Sequence, residues 1–409
     1  MLSEDARSRL LREVVRAGSC SHPVRLVGHS VNLVTGEWAE RQFKIACKDR
    51  RAKVCLACSE RYETDAWIIA ASGVNGGKGV PATVAYSPRL FVTVTAPSFG
   101  AVHTRGSAGG CVATRPGRAS QCAHGMPTSC EVVHEVTDTQ LGHPLCSACF
   151  DATGAILWNA QSTRLWSETI RRARQNLMHE LGTSRRKGSR SIRLEYVKVV
   201  EMQRRGLVHF HALVRLDAST EVANCDGGTL ARALRQAIRS TRTHDEAGEY
   251  RFGAVADVQV LGEDASDVKG AASYLAKYVT KTASGTLELA RRFSSRAGIE
   301  RAVADEHLRA LALTAWDLKM TRHANTLGYR GQFLTKSRSY STTFAELRAA
   351  RRAYWNPSTD PDPEESHYLF DGRGYDDPRG AELAEVLARL DRERRRDERR
   401  SAKERDDDR

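Results

Sequence analysis

The chain reads as an α+β protein: a largely antiparallel sheet with helices against one side. Three observations predict this. First, RLFVTVTAP at 89–97 alternates threonine with β-branched or aromatic residues, the period of a strand. Second, SIRLEYVKVVEMQ at 191–203 and LVHFHALVRL at 207–216 are two further strands, joined through Arg204-Arg205-Gly206 as a hairpin. Third, 156–181 places its Trp and Leu residues on one helical stripe and its arginines on another, and a basic helix follows at 229–242. AVADVQVL at 254–261 is a fourth strand, and it leads into a helix containing YLAKYVTK, 274–281.

The chain has 409 residues and a formal charge of +13, with 41% apolar residues. That supports more than one core and favours an anionic partner, of which nucleic acid fits best. The first residues, MLSEDARSRLLREVV, have no apolar segment of the kind a signal peptide carries. No run of about eighteen apolar residues occurs, so no membrane span and a cytoplasmic setting are expected.

The chemistry concentrates in HFH. His209 and His211 are two apart on a strand and so share a face, while Val208, Phe210, Ala212 and Val214 take the core side. Two imidazoles about 7 Å apart can grip one divalent ion. Across the hairpin, Glu201 and Gln203 share one face, and either supplies a third, oxygen ligand, Glu201 being favoured for its charge. Such a set leaves coordination positions open, which suits catalysis with Mg²⁺, Mn²⁺ or Zn²⁺. In the downstream helix Tyr274, Lys277, Tyr278 and Lys281 form one stripe, opposite Ala272, Leu275, Ala276 and Val279. A phenol beside a cation can attack a phosphodiester, and a neighbouring ammonium can stabilise the phenolate and the transition state.

Ten cysteines in a reducing compartment point to metal rather than disulfides. Cys20, Cys47, Cys55 and Cys58 form one expected zinc site, with His22 as a rival to Cys20. Cys122, Cys130, Cys146 and Cys149 form a second, with His124 and His134 as rivals, while Cys111 and Cys225 are expected to be packing residues. The domains expected are a Cys-rich zinc module at 1–85, a nuclease domain at 86–285 with a zinc-binding insertion at 103–150, a basic helical region at 286–356 suited to DNA, and a charged tail at 357–409, disordered or a solvated helix. GVNGGKGVP at 73–81 lacks P-loop spacing and reads as a basic loop whose Lys78 can touch phosphate.

FVTVTAP, HFHALV and YLAKYVTK, in that order, resemble the three motifs of HUH-family rolling-circle replication initiators. The layout is more closely similar to plasmid replication initiators of actinobacteria, including the cysteine groups, the GGKGVP loop and FLTKSRSYSTTF, over roughly residues 18–355. The resemblance implies a ferredoxin- or palm-like HUH sandwich and an origin nickase that forms a tyrosine–5′-phosphate intermediate and later rejoins the strand. It makes His209 and His211 metal ligands, Tyr274 and Tyr278 the paired nucleophiles of phage-type initiators, and Thr93 and Thr95 structural or DNA-contacting. Thr93, Thr95, Lys78, Arg204 and Arg205 are the DNA contacts expected. The tyrosines follow the histidines, an order that separates initiators and transposases from conjugative relaxases. No Walker A motif is present, so a host helicase and polymerase are implied. A two-tyrosine HUH transposase is the nearest rival. A metal-dependent oxygenase leaves the tyrosines and the charge unexplained, and a non-catalytic zinc-finger DNA-binding protein needs neither histidines nor tyrosines.

Overall fold

The computed structural model describes residues 3–105, 111, 121–183, 186, 191–218, 225–262, 270–276, 292–355 and 364–407. They fall into two units, 1–66 with 343–409, and 67–342.

In the larger unit, β3 (Arg89–Thr95), β4 (Ile192–Met202), β5 (Val208–Ala218), β8 (Ala256–Val260) and β9 (Leu334–Lys336) form one sheet in the order β8-β3-β5-β4-β9. Every pairing is antiparallel. Strand alternation gives the sheet two unlike faces. Val92, Val94, Phe210, Ala212 and Val214 face a core completed by α3 (Ala152–Glu180) and α4 (Gly227–Ser240). The α4 sequence explains its seating: Leu230, Leu234, Ala237 and Ile238 are buried at helical spacing, and Asp226 caps the first turn by accepting from the Thr229 N–H. A short hairpin, β6 (Thr243–Asp245) and β7 (Gly248–Tyr250), follows.

The β4–β5 turn is held from below. Asn159 on α3 is fully buried, donates to the carbonyls of Gly206 (2.8 Å) and Leu327 (2.9 Å), and accepts from the Val208 N–H (3.0 Å). All its near-turn bonds go to backbone that would otherwise be buried unpaired. Gly206 sits at φ +79, where a side chain is disfavoured and would also meet Leu311.

The region 286–356, expected as a separate basic helical part, is divided. Its α5 (Arg296–Ala302) and α6 (Glu306–Asp317) contribute Ile299, Leu308, Leu311 and Ala315 to the main core, and β9 extends the sheet beside β4. SRSYSTTF is structural here: Tyr340 is fully buried, and its hydroxyl donates to the Ala70 carbonyl at 2.9 Å. A Cβ on Gly73 would lie 2.0 Å from that tyrosine's ring, so glycine is required at this approach.

The smaller unit holds α1 (Glu4–Arg16), β1 (Val24–Asn32), β2 (Trp38–Ile45), α7 (Phe344–Trp355), β10 (Glu364–Arg373) and α8 (Arg379–Asp407). The division falls within α2 (Leu56–Asn75). The C-terminal segment differs from the expected tail. β10 pairs with β1, and the sheet runs β10-β1-β2. Val14, Ala17, Tyr375 and Ala384 close a small core between α1 and α8. Strand formation overrides the charge of this segment because β1 offers a free edge.

One core residue breaks the pattern. Lys198 lies on the core side of β4, 1% exposed, with its Nζ 3.8 Å from the Phe210 ring centroid and no hydrogen-bond partner among the described residues. Burial pushes its pKa down to about 7. A folded-state value below the unfolded one means the unfolded chain binds the extra proton. The cost is therefore full below about pH 7 and fades as pH rises toward a lysine's ordinary 10.5. Lys198→Met is expected to stabilise the unit by about 4 kcal/mol at pH 7. The gain should shrink toward pH 10 in urea unfolding, and equal gains at both pH values would exclude a titrating amine.

Candidate active site

The face of the sheet opposite the α3–α4 core carries the candidate site. The register places Thr95 opposite His209 and His209 opposite Glu201, and places Thr93 opposite His211. One row across three strands thus collects a hydroxyl, an imidazole and a carboxylate, with a second imidazole one step along. Ligand atoms of Glu201, His209 and His211 all lie within 4.8 Å of one another. The two imidazole centroids are 4.6 Å apart.

Neighbouring groups orient the rings. Thr93 Oγ1 shares a hydrogen bond with His211 Nδ1 at 3.2 Å, which directs His211 Nε2 toward Glu201 Oε2 at 3.4 Å. A proton on Nδ1 leaves the Nε2 lone pair for a cation. Gln203 Nε2 lies 3.5 Å from His209 Nδ1, and Arg205 Nε donates to Gln203 Oε1 at 2.9 Å. Burial foremost, then the neighbouring His211, pushes His209 down to about 4, so it is a neutral, ligand-competent imidazole at pH 7. Glu201 is the carboxylate grouped with the two imidazoles, and Gln203 lies beside them with its Oε1 accepting from Arg205.

The helical segment 270–276 lies over this face. The Tyr274 ring meets His211 edge-on at 5.6 Å between centroids and Phe91 at 5.5 Å, and Tyr274 is 44% exposed. Its neighbour Ser273 accepts from the Trp67 indole N–H at 3.1 Å, which ties the segment to α2. Ala272, Leu275 and Ala276 are buried, as the expected stripe requires. Lys277, Tyr278 and Lys281 lie outside the described residues.

The other expected DNA contacts divide. Thr95 Oγ1 accepts from Arg205 at 3.1 Å, and the same guanidinium donates to the carbonyls of Ala96 and Pro97. Arg204 donates to the carbonyls of Asp138 and Val136. Both arginines therefore spend donors on backbone carbonyls of the insertion and of the segment after β3, which need partners. Lys78 is exposed at φ +54 in a loop closed by the Gly77–Val80 bridge.

Cys20, Cys47, Cys55 and Cys58 converge as expected, with Sγ–Sγ separations of 3.6 Å for Cys47–Cys58 and 3.8 Å for Cys20–Cys55. Backbone N–H groups of Cys47 and Asp49 point at Cys20 and Cys47 sulfurs. About 3.8 Å is the S–S edge of a tetrahedral zinc site, so the four residues fit that ion. The second expected quartet splits: Cys122, Cys146 and Cys149 group with His124, while Cys130 groups with His103, Cys111 and His134. Cys111 is thus a member of a cluster rather than a packing residue, and His22 instead bonds Ser21. His103 was missed in the sequence because it sits eight residues before Cys111, outside any C-x2-C spacing.

Sheet and site together define a protein with a His–His–Glu centre suited to a divalent cation and several Cys-rich groups that could hold zinc. The chain belongs to the family described as "Replication initiator protein, pSAM2" (RepSA), which it matches over residues 6–389. It is 32% identical over 379 residues to a replication initiator protein of Streptomyces ambofaciens, covering 84% of this chain and 79% of that protein. No solved structure matches. No helix among the described residues is long and apolar enough to cross a membrane.

Proposed function

We propose that this chain initiates rolling-circle replication by nicking plasmid origin DNA through a tyrosine–5′-phosphate intermediate, on an HUH-type sheet. The observation that carries the reading is the Tyr274 ring packed on His211 of the His–His–Glu group. Glu201, His209 and His211 would hold a divalent cation, Mg²⁺ or Mn²⁺, which when bound would supply Lewis-acid neutralisation of the scissile phosphate. Tyr274 Oη attacks phosphorus in line as the phosphorus–O3′ bond breaks. The phenol gives up its proton, and the 3′ oxygen leaves as a hydroxyl that can prime synthesis. Because one phosphate ester replaces another, the strand can be rejoined without ATP.

A basic cleft supports DNA as the partner. Arg235, Arg239, Arg242 and Arg251 line a cavity of about 540 Å³ with Pro97 and Phe252, beyond the end of β3 that carries Thr95. Guanidiniums so clustered suit a phosphate backbone. A host helicase and polymerase would extend the exposed 3′ end, and the Cys-rich groups suit origin recognition.

The test is incubation with supercoiled plasmid carrying the chain's own origin and Mn²⁺. Nicked circles with protein attached to the 5′ end are expected. Origin binding without any cleavage or adduct would leave a zinc-stapled DNA-binding protein, and cutting confined to the ends of a mobile element would favour the transposase.

A further inference from the structure

We propose that the insertion between β3 and α3 binds two zinc ions in a crossed arrangement, so that with the Cys20 group the chain carries three. His103, Cys111, Cys130 and His134 hold one ion; Cys122, His124, Cys146 and Cys149 hold the other. The pairs alternate along the chain, first and third to one ion, second and fourth to the other. This inference does not depend on the nicking chemistry.

Distances carry the first part. A tetrahedral site has edges of about 3.3 Å between nitrogens, 3.6 Å between nitrogen and sulfur, and 3.8 Å between sulfurs. In the first cluster His103 Nδ1 and His134 Nε2 are 3.2 Å apart, Cys130 Sγ is 3.5 Å from His134 Nε2, and Cys111 Sγ is 3.9 Å from His103 Nδ1. In the second, His124 Nδ1 is 3.3 Å from Cys149 Sγ, 3.8 Å from Cys146 Sγ and 4.0 Å from Cys122 Sγ. Ordinary hydrogen bonds could satisfy one such pair, but not four donors converging on one point.

The hydrogen bonding around His134 is independent of those edges. His134 is fully buried, and its Nδ1 meets Asp138 Oδ2 at 2.7 Å. The Nδ1 proton is donated to that carboxylate, and Nε2 is left as a lone pair aimed into the cluster. A carboxylate that fixes the tautomer in this way is the usual partner of a zinc-bound histidine. Mixed sulfur and nitrogen donors at tetrahedral spacing select zinc over harder ions.

The third line is the missing core. Among described residues 101–149, only His134 and Cys146 are buried, while Met126, Val132, Val133 and Val136 are exposed. A segment whose described residues fully bury no Leu, Ile, Val or Phe has little apolar burial to offset the entropy of ordering, and metal supplies the remainder. In the crossed arrangement, neither ion can leave without opening a loop that the other closes.

The module also grips the β4–β5 turn. Arg204 donates to the carbonyls of Asp138 and Val136, and a Cβ on Gly142 would lie 2.5 Å from Arg204 Cβ. Asp138 thus joins His134 to the hairpin that bears Gln203 and Arg205.

The experiment counts zinc by elemental mass spectrometry on the full chain carrying His209→Ala and His211→Ala, so that only Cys-rich groups contribute. Three ions per chain are expected; two or fewer overturn the assignment. Adding His134→Ala should lower the count and expose both halves of 103–149 to limited proteolysis. An unchanged count excludes His134 as a ligand. A lower count with 122–149 still protected would mean two independent sites and would overturn the crossed arrangement.

Discussion

Tyr274→Phe protein is expected to bind origin DNA with unchanged affinity yet form no protein–DNA adduct, a loss of at least about a thousandfold in nicking. The substitution removes one oxygen and little else. The ring contacts with His211 and Phe91 are edge-on packing that phenylalanine reproduces, so the segment 270–276 keeps its place. What disappears is the proposed nucleophile. A phenol titrates near pH 10, so at pH 7 it attacks only where neighbouring positive charge stabilises the phenolate. Tyr274 would have that opportunity through a cation held by Glu201, His209 and His211; phenylalanine has nothing to ionise. A thousandfold loss corresponds to about 4 kcal/mol of barrier. A denaturing gel of labelled origin oligonucleotide reads the adduct, and a mobility shift reads binding. Adduct at the wild-type rate would move the nucleophile elsewhere, Tyr278 being the next candidate.

His211→Ala should be comparably severe, about a thousandfold or more, for a different reason. His211 is the hub of the site: Thr93 holds Nδ1, Nε2 faces Glu201, and its ring supports Tyr274. Alanine removes a proposed ligand and the platform together. Thr93→Val provides the contrast, since it removes only the group that orients His211. A supporting bond of that kind typically contributes about 10–100-fold. Initial nicking rates across a Mn²⁺ titration separate the two. Thr93→Val should recover much of its rate at high Mn²⁺, because a misoriented ligand still binds a cation weakly. His211→Ala should not recover. If His211→Ala stays within tenfold of wild type at every Mn²⁺ concentration, the chemistry does not occur at this centre.

Local features of the site were legible in the sequence. The two-residue spacing of His209 and His211 and the tight turn between β4 and β5 require that Glu201 face them, since pleat and register leave no other arrangement. The Cys20 group was legible because its C-x2-C pair anchors the other two ligands. The second cysteine quartet was misassembled because its ligands interleave. Spacing in the chain tells which residues are near along it, but not which of two crossing loops a histidine joins. Lys198 shares the core-side parity of Val200 and Met202, an unusual place for a lysine. Only the tertiary structure shows its amine fully buried against the Phe210 ring. Arg204 and Arg205 looked like free cations until the fold brought carbonyls of the insertion and of the segment after β3 against them.

Strand periodicity, the hairpin turn and the order of the motifs determined that two imidazoles and a carboxylate share one side of an antiparallel sheet; these are properties of neighbours a few residues apart. Tertiary structure alone decided that β3 inserts between β8 and β5 to bring Thr93 to His211, and that Tyr274 comes to rest on that ring. It also decided that β10 completes a sheet with β1, more than three hundred residues away in the chain. The reason is the same in each case: a local pattern sets which face a side chain takes, but the partner on that face is chosen by burial and hydrogen-bond satisfaction summed over the whole fold.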